Sequence, residues 1–174
     1  MKKLCLSLLS VTVGSLVVVL LPGFVSAQAS SAAACYVTAP NGIVAGSSRR
    51  TKWNYGNALL SVGGLWPNGT IVFKPDGPGF QTKDRALAMK FGWMRTVPGK
   101  INVTGHRIDA DAPPLRFETN QTNDAHSIGF LASYLVFSTP GCWEVTAHVG
   151  DREDTKLTFV TRVEIFDEGP GSHQ

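Results

Sequence analysis

Residues 139–166 read TPGCWEVTAHVGDREDTKLTFVTRVEIF, and the alternation within them decides the fold class. Pro140-Gly141 turns the chain. From Cys142 a period of two puts Trp143, Val145, Ala147 and Val149 on one face and Cys142, Glu144, Thr146 and His148 on the other. After a charged tip at 150–154, Leu157, Phe159, Thr161, Val163 and Ile165 form the apolar side of a return strand. A helix would scatter each set around its circumference, whereas a strand aligns it. The stretch therefore predicts an antiparallel hairpin with Trp143 facing a core and Cys142 facing away from it.

Working outward, the same period recurs. Leu87, Met89, Phe91 and Trp93 alternate with Ala88, Lys90 and Gly92, and Ile101 and Val103 stand opposite Asn102 and Thr104. Residues 59–66 and 70–74 flank Pro67-Asn68-Gly69, whose Asn-Gly pair predicts a tight hairpin turn between them. Residues 128–137 are apolar on both faces, which predicts a central strand covered on both sides; a short buried helix fits the same composition. Residues 41–57, with Gly42, Gly46, Ser47, Ser48 and Gly56, read as an irregular surface excursion. Loops are expected at 109–114 and 120–127. No helix of ordinary length and no internal repeat is apparent. Short strands punctuated by Gly, Pro and Asn about every eight to twelve residues are the pattern of a β-sandwich or barrel.

The N-terminus predicts export. Lys2 and Lys3 precede an apolar run over 4–21, then Pro22-Gly23 and the small-residue site Val25-Ser26-Ala27, so a signal peptide over 1–27 is expected to be cleaved before Gln28. The run is long enough to serve instead as an uncleaved anchor, but the helix breakers and the cleavage site favour removal. The mature chain is one domain's length, with a flexible small-residue tail over 28–34 and a disordered C-terminal tail over 169–174. Losing Lys2 and Lys3 takes the formal charge from +3 to +1. A near-neutral body with no cationic cluster beyond Arg49-Arg50 leaves no footprint for nucleic acid, and no membrane insertion is expected after cleavage.

Cys5 leaves with the signal, and Cys35 and Cys142 remain in a compartment where disulfides persist. Pairing them is the economical reading, and parity makes the bond staple the N-terminal segment to the outer face or edge of the sandwich. The alternative is lipidation of Cys35, which follows Ala32-Ala33-Ala34, although Gln28, Ser30 and Ser31 separate it from the apolar run. The localisation is thus secreted or periplasmic, or lipid-anchored through Cys35.

Trp143, just after the Pro-Gly turn, stands where immunoglobulin-like sandwiches often place a corner aromatic whose polar atom bonds nearby backbone. Through the residues 35–42 (CYVTAPNG), 64–70 (GLWPNGT), 141–146 (GCWEVT) and 157–161 (LTFVT), the chain resembles a largely uncharacterised family of bacterial exported proteins and lipoproteins with an immunoglobulin-like domain. The resemblance covers most of residues 35–168 and implies an all-β fold, an immunoglobulin-like β-sandwich, together with export. It carries over no catalytic residue.

No pattern of residues supplies a chemistry. His106, His126, His148, Asp109 and Asp111 share no ligand spacing, and Asp109-Ala110-Asp111 lacks the other oxygens of a calcium loop, so no metal or other cofactor is expected. There is no Gly-x-Ser-x-Gly elbow, and Glu144 and His148, four residues apart on one strand face, stand about 13 Å apart, too far for acid/base coupling. Trp53, Tyr55 and Trp66, in loop or hairpin-tip positions, are the candidate contacts for a ligand or partner, whereas Trp93 belongs to the core by its alternation. The expectation is a noncatalytic binding or structural module at the cell envelope whose partner is an unknown envelope protein or glycan. Two alternatives stand beside it. One is a metal-assisted hydrolase assembled from His106, Asp109, Asp111 and His126; the other is an inhibitor-like or chaperone-like interaction module docking through residues 52–57.

Overall fold

The computed structural model describes residues 34–65, 68–74 and 77–166. The expected signal peptide, all but Ala34 of the tail over 28–34, the tail over 169–174 and Trp66 lie outside them. The described chain forms ten strands and no helix: β1 (Asn54–Gly56), β2 (Leu60–Gly63), β3 (Thr70–Phe73), β4 (Phe80–Gln81), β5 (Leu87–Arg95), β6 (Ile101–Arg107), β7 (Arg116–Glu118), β8 (Gly129–Phe137), β9 (Gly141–Val149) and β10 (Arg152–Ile165). These make two sheets. One runs β1-β2-β5-β8-β7, with β4 also paired to β5, and the other runs β3-β10-β9-β6. The all-β sandwich expected from the alternation is thus present.

The closing hairpin pairs as its period requires, with Trp143 opposite Thr161, Val145 opposite Phe159 and Ala147 opposite Leu157. The return strand starts earlier than its apolar pattern suggests, because a bulge between Arg152 and Leu157 absorbs the charged tip. Thr155 is buried there, its hydroxyl accepting from Val149 N at 2.9 Å and donating to Arg152 O at 2.7 Å. Trp143 is fully buried, meets Phe137 edge-to-face at 5.5 Å and donates from Nε1 to Thr139 O at 3.1 Å. On the facing sheet, Trp93 is equally buried and donates from Nε1 to Ser133 Oγ at 2.9 Å. Each indole thus buries its ring area without leaving a polar atom unpaired.

Three expectations are corrected. First, residues 59–66 and 70–74 are not a hairpin: β2 pairs with β1 and β5 in one sheet, while β3 lies parallel to β10 in the other. Gly69 takes the positive φ, 65°, that an Asn-Gly turn favours, yet the chain does not fold back into a hairpin there. The Gly69 carbonyl instead accepts from Arg162 N at 3.1 Å and Thr161 Oγ1 at 2.8 Å, and Leu65 is buried between the two strands it links. Second, β8 is not covered on both sides. Leu131, Leu135 and Phe137 face the core, but Phe130 and the neighbouring Ile128 are each 60% exposed. Third, Ile165, expected on the apolar side of the return strand, is largely exposed at the end of β10 that runs past its pairing with β9, which stops at Val163.

The disulfide between Cys35 and Cys142 is formed, with Cα atoms 5.6 Å apart. Cys142 stands outside the main core cluster yet is buried, so the cover comes from the N-terminal segment. That segment continues to the edge of β10, where Thr38 N donates to Val160 O at 2.8 Å and Val160 N donates to Thr38 Oγ1 at 2.9 Å. Val160 lies just before the residues of β10 that pair with β3, so Thr38 occupies edge groups that β3 does not reach.

At the opposite end, Asn123 fastens the loop before β8 to the start of β6. Its Oδ1 accepts from Ile101 N at 2.8 Å and from Arg95 Nη1 at 2.7 Å, and its Nδ2 donates to Ile101 O at 2.9 Å. Arg95 is buried beneath it, and also donates to Gly99 O at 2.8 Å while its Nε has no partner among the described residues. Burial pushes its guanidinium pKa down, and the Asp124 carboxylate partly opposes this.

Candidate functional site

The outer face of the first sheet carries the exposed apolar surface. Alternation along β5 turns Ala88, Lys90, Gly92 and Met94 outward, and the β8 register sets Val136, Tyr134, Ala132 and Phe130 opposite them in that order. At one end Ala86, Ala88 and Val136 are buried as a small second cluster, covered by Tyr134 and by Phe80, whose rings meet edge-to-face at 5.4 Å. At the other end nothing of comparable size among the described residues lines the strands. A Cβ on Gly92 would stand 2.8 Å from Phe130 Cε2 and 3.2 Å from Cζ, so the ring leans directly across the glycine. This is the arrangement in which an aromatic compensates a strand glycine's missing side chain.

The result is a shallow trough of about 430 Å³. Gly63, Gly64 and Gly92 form its low ground, Phe130 and Met94 supply apolar walls, and Thr51, Asn54 and Lys90 supply polar ones. An exposed ring face beside an amide, a hydroxyl and an ammonium is equipped to hold a ligand by stacking and hydrogen bonds.

The predicted contact residues are dispersed relative to this trough. Trp53 is 49% exposed, on the turn between Thr51 and Asn54, with its carbonyl accepting from Leu65 N at 3.1 Å. Tyr55 is half-buried and packs its ring edge-on against Phe159 at 6.3 Å, so it belongs to the sandwich interior. Trp66 falls outside the described residues. Phe130 and Lys90 escape sequence reasoning because they lie within strands whose periods explain them without a ligand. The available signal is the smallness of the outward residues Gly92 and Ala132, which leaves an aromatic beside them with no neighbour tall enough to cover it.

The histidines and aspartates weighed for a metal lie on separate elements, His106 in β6, Asp109 and Asp111 in the segment after it, His126 before β8 and His148 in β9. No group of three His, Cys, Asp or Glu side chains able to hold a metal is assembled among the described residues. His106 lies opposite Glu144 on the exposed face of the second sheet, and His148 pairs through Nδ1 with the Gly150 carbonyl. Asp109 is bound to Arg107 at 2.6 Å, which holds its carboxyl below the usual carboxylate range. Asp124 is held low by the His126 N–H and the Ser127 hydroxyl, which close a local turn.

These depressed carboxyls set the acid response. The Thr82 hydroxyl and then Arg116, at 2.8 Å, lower Asp84 from 3.8 to about 2. A carboxylate whose folded pKa lies below its unfolded one contributes stability that is full above the unfolded value and is lost as pH falls through the folded one. Stability is therefore expected to decline as pH drops from 3.8 toward about 2, with Asp109, Asp124 and Asp154 contributing in the same direction. Circular dichroism during acid titration measures this, and Asp84→Asn should flatten the lower part of the curve; an unchanged curve would contradict the assignment.

Compared with known proteins, the chain matches no family model, no curated protein and no solved structure.

Proposed function

We propose that this chain is an exported, noncatalytic binding module of the bacterial cell envelope, built on an immunoglobulin-like β-sandwich and related to the exported proteins and lipoproteins that its sequence motifs resemble. The observation that carries the binding role is the trough beside Phe130: an aromatic ring, 60% exposed, set over a glycine floor among polar side chains. An exposed ring grouped in one concavity with hydrogen-bonding side chains has the composition of a ligand site.

The immunoglobulin-like type is supported by the strand order. β2-β5-β8-β7 in one sheet against β10-β9-β6 in the other follows the A-B-E-D and G-F-C pattern, with β3 beside β10 as the first strand's continuation in the second sheet. The corner indole of Trp143, bonded to Thr139 O, supports it too. Export is supported by the basic, apolar and small-residue order of residues 1–27 and by a disulfide, which persists in oxidising compartments. The same bond engages the Cys35 sulfur that a lipid thioether would need, which favours a secreted or periplasmic product over a lipid-anchored one.

Affinity capture from envelope extract, read by mass spectrometry and glycan analysis, tests the reading. The exported protein should enrich a defined component, and Phe130→Ala should lose it. Equal recovery by wild type and variant would sink the binding role of this face. The intact mass of the bait should correspond to a chain beginning at Gln28 with Cys35 and Cys142 oxidised.

A further inference from the structure

Charge is distributed unevenly along this chain. Its thirteen acidic residues begin at Asp76, so the first 75 positions hold none, while Arg49, Arg50 and Lys52 all fall there. Folding brings that carboxylate-free stretch to the trough: Val44, Thr51, Asn54, Gly63 and Gly64 line it, and Lys90 joins them from β5. A second concavity of about 480 Å³, bordered by Arg49 and Arg50, shares Val44 with the first. No described carboxylate lines either one.

The cations there are also unlike most arginines elsewhere. Arg107, Arg116, Arg152 and Arg162 each hold a carboxylate, at 2.6, 2.8, 2.7 and 3.7 Å respectively. Arg49, Arg50, Lys52 and Lys90 are exposed and have no described carboxylate within 4.0 Å. Arg50 is positioned instead by a 2.9 Å bond from Nη1 to Asn41 O, which leaves its charge unneutralised.

We infer that the ligand of this face is an acidic polysaccharide, lying from Lys90 across Phe130 and Asn54 toward Arg49 and Arg50. This rests on the binding-module reading above and names the ligand class. Unpaired cations on both sides of the path complement a polyanion. The exposed face of Phe130, with Gly92 beneath its rim, accepts the apolar face of a pyranose ring. Single-stranded nucleic acid fits less well, because it stacks successive bases on several rings. Phe130 is the one exposed ring among the described residues lining the two concavities.

The test uses the exported protein from the full chain in affinity electrophoresis, with polygalacturonate, its fully methyl-esterified form and a thirty-nucleotide oligothymidylate as probes. Polygalacturonate should retard the protein, and added salt should weaken the retention. Lys90→Glu and the pair Arg49→Glu with Arg50→Glu should each weaken binding by about tenfold. Phe130→Ala should weaken it by about fivefold, with an unchanged circular dichroism spectrum. Lys100→Glu, the same charge change at an exposed lysine that lines neither concavity, should leave binding as it was. The inference is overturned by no retention of the acid polymer, by equal effects of Lys90→Glu and Lys100→Glu, or by oligothymidylate binding as tightly. Retention of the ester equal to that of the acid also overturns it, yet leaves the binding-module reading standing, as does envelope capture without polygalacturonate retention. Failure of both assays overturns both.

Discussion

Replacing the disulfide by Cys35→Ala with Cys142→Ala is expected to lower the free energy of unfolding by about 4 kcal/mol. The two cysteines are 107 residues apart in sequence, so the bond removes a large closure entropy from the unfolded chain. Folding kinetics in denaturant show when the loop closes: slower folding with little change in the unfolding rate is expected if the two cysteines are already together in the transition state, and faster unfolding if they meet later. A bond acting chiefly by holding the N-terminal segment in place shows itself in the native state, where its loss would loosen that segment. That loss would also raise hydrogen exchange at Val160, whose amide the segment's Thr38 hydroxyl covers. A total loss below about 1 kcal/mol would count against the constraint altogether.

The second large effect is expected at Trp143. Truncation to alanine should cost about 4 kcal/mol, since the ring is fully buried and stacked edge-on against Phe137. Trp143→Phe should cost about 2 kcal/mol, because it keeps most of the ring packing but loses volume and the bond to Thr139 O. Although Trp143 adjoins Cys142 in sequence, the two perturbations act on different states, one on the native core and the other on the unfolded ensemble. Their effects should therefore add to within about 0.5 kcal/mol when Trp143→Phe is combined with loss of the disulfide. Urea unfolding of the four combinations measures this; strong coupling would mean that the bond also fixes the packing of the neighbouring indole.

Much of this architecture was legible because a period of two needs only local sequence. The alternation of Leu87 to Trp93 and of Trp143 to Val149 declared β5 and β9, and parity placed Cys142 away from the main core. Pairing was less legible. Asn68-Gly69 is a strong local turn signal, but the capture of the Gly69 carbonyl by Arg162 and Thr161, more than ninety positions along, decides where β3 goes. The proposed binding face was least legible, for a related reason. The apolar composition of β8 says that its side chains prefer cover, while whether cover exists depends on Gly92 across the register and on the loop over 41–57. Tyr55 makes the same point in reverse: its surrounding sequence reads as a polar excursion, yet it sits in β1 and packs on Phe159.

The bond from Cys35 to Cys142 also determines how the protein carries a mechanical load. Tension between the ends of the described chain enters at Cys35, crosses the sulfur bridge to Cys142 and leaves along β9 and β10. Every strand of the first sheet, with β3 and β6, lies inside the covalent loop and off that line of force. Pulling can strain the closing hairpin, but it cannot draw out the strands beneath Phe130 and Lys90.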